Sequence, residues 1–289
     1  MPAPPRVEGL LPAEVLLDEP EAGRRWDRTL VVSGGVLGLI VFFCFLGPLF
    51  LPVPDPSAIN LNAIRAAPSL GHLFGTGSDG EDLLSQILYG GRDSLEIAIL
   101  SVMIGATVGC LFGFVSGIKG GIIDTVLMRC VDVLLAFPAL ILALAVVTYV
   151  GRSSWDLTIA LSFFSVPAYG RYSRALAVGL RNREFVVNAR LAGARSGHLI
   201  WRHILPNAMP TLLTFGFLAM GFQIVALAGL SFLGLGLAPP TPSWGGMITA
   251  GEAYLSTAPQ MVLVPVVFLL ATVVSVNLFG DALRQRMRA

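Results

Sequence analysis

Long apolar runs alternate along this chain with short segments rich in charge, glycine or proline. A helix needs about 20 largely apolar residues to cross ~30 Å of hydrocarbon. Six stretches meet that length: Leu30–Leu51, Ser94–Ile118, Val131–Val150, Leu157–Val178, Ala208–Leu235 and Met261–Leu283. The fourth is uncharged only as far as Arg171, and Arg171 and Arg174 are expected to snorkel to an interface. Pro138, Pro167 and Pro265 fall inside spans three, four and six, where each removes a backbone hydrogen bond and favours a kink. The pattern predicts an all-α integral membrane protein: a tail over 1–29, a first transmembrane helix over 30–51, an external segment over 52–93, a core over 94–284 and a tail over 285–289.

Composition sharpens this reading. Of 289 residues, 55% are hydrophobic and 13% charged, against roughly 25% charged in soluble domains. There is too little polar sequence to cover such a core in water. Lys and Arg are segregated: Arg6, Arg24, Arg25, Arg28, Lys119, Arg129, seven arginines from Arg171 to Arg202, Arg284, Arg286 and Arg288 lie on one side, and Arg65, Arg92 and Arg152 on the other. The positive-inside bias places both termini in the cytoplasm. The apolar run begins only at Leu30, after a polar stretch, so span one reads as an uncleaved helix.

Few residues suggest chemistry. Cys44, Cys110 and Cys130 lie in or beside apolar runs without metal or disulfide spacing. His198 and His203 are five apart, which on an α-helix puts them on different faces and argues against zinc. Asp79, Glu81 and Asp82 lack the rhythm of a calcium loop. Arg129 and Asp132 have helical pair spacing, and Trp244 and Tyr254 in the second external segment read as interface anchors. Gly105, Gly109, Gly113 and Gly117 form a stripe that lets another helix approach closely, either a neighbouring span of this chain, the preferred reading, or a helix of a partner subunit. A phosphate loop needs Gly-Lys-Ser/Thr, whereas the only lysine, Lys119, precedes Gly120 and Gly121. No nucleophile–base or metal constellation supports an intramembrane enzyme. An autonomous secondary transporter or channel would show internal repeats or ionisable groups at mid-membrane, but the acidic residues here hug the boundaries.

The most patterned polar stretch is 181–206, RNREFVVNARLAGARSGHLIWRHILP. Glu184 to Ala194 predicts a short helix with its acid near the N-terminus. Ser196-Gly197 offers a break, His198–Leu205 a second helix, and Pro206 a restart into span five. Ala189, Ala192, Gly193 and Ala194 leave a low surface between Arg190 and Arg195, suited to docking into another protein.

Here the chain resembles the permeases of ATP-driven (ABC) importers, whose cytoplasmic signature runs Glu-Ala-Ala, three residues, Gly, then Leu-Pro at a set interval. Gly193 and Leu205-Pro206 match; of Val187, Asn188 and Ala189, standing in the Glu-Ala-Ala places, only the last does. Further stretches resemble the C-type subunit of the dipeptide/oligopeptide (peptide/nickel) branch: Phe74–Thr76, Gly90-Gly91-Arg92, Asp124-Thr125, Met128-Arg129, Val131–Pro138, Arg202–Asn207, Leu230–Gly236, Pro239–Gly245 and Asn277–Leu283. The resemblance covers Leu30 to the C-terminus. It implies a type I importer fold in a bacterial or archaeal inner or plasma membrane, and a pathway shared with a second, homologous permease subunit as a heterodimer. It also implies two cytoplasmic ATPase subunits carrying ATP and Mg, an external binding protein and a peptide substrate, with no nucleic acid and no cofactor, metal or catalytic residue in this chain. Contact with the ATPases falls on Glu184, Asn188, Ala189, Arg190, Ala192, Gly193, Ala194, Arg195, Leu205 and Pro206.

Overall fold

The structure is a computed structural model that describes residues 22–287, so most of the 1–29 tail, with Arg6, and the terminal Arg288 lie outside the described residues. Among those described it is helical throughout, with no strand and one isolated bridge joining Thr76 to Asp82.

Helix α1 (Ala22–Phe50) begins before the apolar run does. Helix α2 (Leu83–Lys119) starts well before Ser94, because Asp82 caps it: its Oδ1 accepts the Ser85 N–H at 2.9 Å. The end of the 52–93 segment is therefore helix. At 1.5 Å per residue α2 is about 55 Å long, more than a bilayer's hydrocarbon needs. The rest of the segment folds back onto the bundle. Thr76 Oγ1 accepts the Ala66 N–H at 2.7 Å and donates to the Ala63 carbonyl. His72 Nδ1 meets Asp82 Oδ2 at 2.8 Å, and the Arg65 guanidinium lies 4.7 Å above the Tyr254 ring. Asp82, with Asp79 and Glu81 one of the acids weighed for calcium, is thus occupied as a helix cap and as the hydrogen-bond partner of His72.

The third expected span is broken. Helices α3 (Gly121–Ala136) and α4 (Ala139–Val150) meet at an 85° bend over Phe137 and Pro138. Proline has no N–H and pushes the preceding residue out of the helical region; Phe137 is extended at φ −90°, ψ 136°. Pro167 and Pro265 instead stay inside continuous helices, α5 (Ser154–Leu180) and α10 (Gln260–Arg286). By length and composition four helical stretches can cross a membrane, Arg28–Phe50, Leu83–Lys119, Ser196–Phe232 and Gln260–Arg286, and the bent pair makes a fifth if it is one span. The 27-residue α5 is not among them; it carries Asp156, Arg171 and Arg174.

α5 is the inner partner of α2. A Cβ on Gly105 would fall 2.0 Å from Ser165 Cβ, on Gly109 2.4 Å from the Val166 carbonyl, on Gly113 2.4 Å from the Gly170 carbonyl, and on Gly117 2.6 Å from Ala177 Cβ. All four glycines of the stripe thus face one helix of the same chain, at a backbone approach only glycine permits.

The segment read as the second external one holds a helix, α9 (Trp244–Glu252), capped by Ser243. Trp244 is not an interface anchor. It is 0% exposed, packs against Cys44 and Gly91, and its Nε1 donates to the Ile87 carbonyl at 3.0 Å. Satisfying the indole N–H inside is what permits full burial of so large a ring.

Candidate coupling surface

Segment 181–206 folds as two helical pieces joined by a tight turn. α6 (Glu184–Leu191) ends in a Schellman motif: the Gly193 N–H donates to the Arg190 carbonyl and the Ala194 N–H to the Ala189 carbonyl, each at 3.0 Å. Gly193 has φ +88°, which only glycine adopts without strain. The break therefore lies at Gly193 and not at Ser196-Gly197, which open the next helix, α7 (Ser196–Leu199). Pro206 does not restart a helix either. From Ser196 the helix runs unbroken through a π-turn (Ile200–Ile204) into α8 (Leu205–Phe232), the Leu205 N–H reaching back five residues to the Ile200 carbonyl. The wider turn absorbs the proline. It also brings residues five apart onto one side, so the His198 and His203 rings lie 5.7 Å apart, contrary to the α-helical expectation.

Buried side chains hold this unit to the bundle, Ile200 among them. Val186 (0% exposed), Leu199 (2%) and Ile204 (0%) join a core with Phe114, Ile118, Tyr169 and Ala177 of α2 and α5, each contributing about 1.5–3 kcal/mol of burial. Arg181 adds a bond from Nη1 to the Gly117 carbonyl at 3.1 Å. Ala189, Ala194 and Leu205 are half-buried against that core. Glu184, Asn188, Arg190, Ala192, Gly193, Arg195 and Pro206 are exposed, as are the apolar Val187 and Leu191. Leu191 is 81% exposed at the helix tip, and Gly193 beside it faces open space. The result is an exposed apolar tip with Arg190 and Arg195 near it in sequence.

Beneath it, ion pairs tie α3 to α5. Arg174 grips Asp124 bidentately, Nε to Oδ1 at 2.6 Å and Nη2 to Oδ2 at 2.7 Å, and Ser116 also donates to that carboxylate. Asp132 pairs with Arg171 at 2.7 Å, not with Arg129 on its own helix. Arg171 and Arg174 are therefore engaged with acids on α3. Sequence spacing sees only neighbours along one helix; these partners are 39 and 50 residues apart. Among the described residues no cluster of three or more His, Cys, Asp or Glu could hold a metal ion.

This arrangement of helices is that of an ABC importer's membrane subunit. A structure titled as inward-facing conformations of the MetNI methionine ABC transporter matches with a TM-score of 0.58 over 70% of this chain and 95% of that one, at 15% identity, a likeness of fold. The chain belongs to the family of binding-protein-dependent transport system inner membrane components, whose model matches residues 109–289. It is similar to the glutathione transport system permease protein GsiD of Pectobacterium atrosepticum, 34% identical over 91% of this chain and 89% of that one. It is likewise similar to a putative peptide permease protein of Brucella suis, 37% identical over 90% and 88%. The chain is thus an inner-membrane permease subunit for binding-protein-dependent transport, a non-catalytic component.

Proposed function

We propose that this subunit forms half of the translocation pathway of an ATP-driven importer of di- and oligopeptides, with a homologous second permease. Six crossings are made by α1, α2, the α3–α4 pair, α5, α8 and α10, with both termini and segment 181–206 in the cytoplasm. The tip at Leu191 docks into a cytoplasmic ATPase subunit, two of which bind ATP and Mg, and an external binding protein delivers the substrate. The observation that carries this is the exposed tip of α6: Val186 of the same helix is buried in the bundle core while Leu191 is 81% exposed. Large apolar side chains so displayed mark protein contacts. The peptide and glutathione permeases among its relatives support the substrate class. Closure of the ATPases on ATP biases a bistable bundle through this contact, which reaches the continuous rod of α7, the π-turn and α8 through the core that Val186 shares with Leu199 and Ile204.

The test is cysteine cross-linking from Leu191 or Ala192 to the ATPase subunit in the assembled complex, together with uptake by Leu191→Arg and by a deletion of 189–195. Cross-links should form, and both variants should lose ATP-coupled uptake while still inserting in the membrane. Uptake by the purified chain without ATPases, or normal uptake by both variants, would sink the assignment.

A further inference from the structure

The ion pairs between α3 and α5 line an open cleft of about 520 Å³. It lies towards the end of the bundle from which α5 runs into segment 181–206. Asp124, Arg129 and Asp132 of α3 face Arg171 and Arg174 of α5 across it. Arg129 and Asp132 lie eight and eleven residues into α3, and Arg171 nine residues before the end of α5. That is about 12–16 Å along the helices, up to half of a ~30 Å hydrocarbon layer. Charges placed so deep face protein or a water-filled path, not lipid.

The charges do not cancel. Two carboxylates stand against three guanidiniums, an excess of one positive charge. Arg174 is committed to Asp124 through two nitrogens and both carboxylate oxygens. Arg171 meets Asp132 through Nη2 and Oδ1 alone. Arg129 is exposed and makes no hydrogen bond or ion pair among the described residues. A guanidinium carries five N–H donors and a carboxylate about four acceptor sites. Arg129 therefore has its whole fork to offer. Asp132, its side chain 45% exposed, has Oδ2 without a partner among the described residues. Both groups line the cleft and can be reached from it.

We infer that the cleft seats the two charged ends of the substrate peptide on its way to the cytoplasm, the carboxylate on Arg129 and the ammonium on Asp132. The inference rests on the peptide-importer reading above. Cβ atoms three residues apart on a helix are about 5–6 Å apart, and a dipeptide spans at most about 7 Å. One molecule therefore reaches both groups. The planar fork of Arg129 suits a carboxylate in particular, since it can pair with both oxygens. Free phosphate would satisfy Arg129 but would meet two carboxylates of its own sign. A zwitterionic lipid headgroup also carries both signs, and the test separates it from a peptide.

That test uses the complete transporter, with second permease and ATPases, in nanodiscs without nucleotide or binding protein, so the binding protein's own selectivity does not enter. Binding of radiolabelled dialanine is measured by equilibrium dialysis, with dialanine amide, N-acetyldialanine and glycerophosphoethanolamine as competitors. Dialanine should bind saturably. Each blocked peptide should compete about tenfold or more weakly, the loss expected for one hydrogen bond to a charged group. Arg129→Gln should weaken dialanine binding and shrink its advantage over the amide, whereas Arg129→Lys should keep part of that advantage. A residue that only supports the fold would lower binding of both peptides and leave their ratio alone. The inference is overturned by absence of saturable binding, by equal competition from the blocked peptides, or by glycerophosphoethanolamine competing better than dialanine. An advantage over the amide that Arg129→Gln leaves unchanged overturns it as well. In ATP-driven uptake with the binding protein present, a wild-type complex that transports neither dialanine nor trialanine overturns the peptide reading, and this inference with it. One that transports them while failing the binding test overturns the inference alone.

Discussion

Replacing Gly113 by alanine tests the contact on which the bundle turns. The added methyl would meet the Gly170 carbonyl at 2.4 Å, the Arg174 amide nitrogen at 2.7 Å and Ser173 Oγ at 2.0 Å. The hydroxyl can rotate away, but the two backbone atoms cannot. Ordinary contact begins at 3.4 Å, so α2 and α5 must separate locally by about 3.4 − 2.4 = 1.0 Å. A radial gap of that size forfeits roughly a quarter to a half of each dispersion contact. The glycines span about 18 Å of helix from Gly105 to Gly117, so the loss extends beyond one residue. Overpacking of this kind costs about 1–3 kcal/mol, partly offset by up to ~1 kcal/mol of alanine's better helix propensity. Gly179 on α5 is the control, because a Cβ there meets nothing within 4 Å. Unfolding in mixed detergent micelles should show Gly113→Ala less stable by about 1–2 kcal/mol and Gly179→Ala neutral or slightly stabilised. Equal stability of both variants and wild type would refute the close-approach argument.

Three further outcomes follow from the geometry. Trp244→Ala should cost about 3–5 kcal/mol by emptying a fully buried site, with Trp244→Phe losing less, both read by the same unfolding assay. Arg174→Lys should fail to restore the stability lost in Arg174→Met, because one ammonium cannot reproduce the two-pronged grip on Asp124; a thermal melt in detergent separates the two. Gly193→Val should destabilise the tip of α6 by about 1–2 kcal/mol through its left-handed backbone, seen as faster hydrogen exchange at Gly193 and Ala194, while Ala192→Ser, at an exposed position, leaves exchange unchanged.

Apolar run length and charge segregation along the chain were enough to specify a helical membrane protein and to single out 181–206, because burial in lipid is a local property of about 20 consecutive residues. Gly193 was singled out for its place in the docking surface, but the helix end it makes was expected at Ser196-Gly197, because a linear pattern with two nearby glycines does not say which takes the left-handed backbone. What the linear pattern could not contain were relations between distant residues. The glycine stripe was visible, but that it meets Ser165, Gly170 and Ala177 depended on how α2 and α5 are laid together. That Asp132 and Asp124 of α3 would pair with Arg171 and Arg174 could be seen only once α3 and α5 were laid together. Trp244 sits in a segment expected to be external, yet Gly91 of α2 opens the space that buries it. The bend at Pro138 carried a local signal, the proline itself, although Pro167 and Pro265 carry the same signal in unbroken helices. A proline removes one hydrogen bond wherever it stands; whether the helix then breaks is decided by the neighbours that can or cannot cover the groups set free.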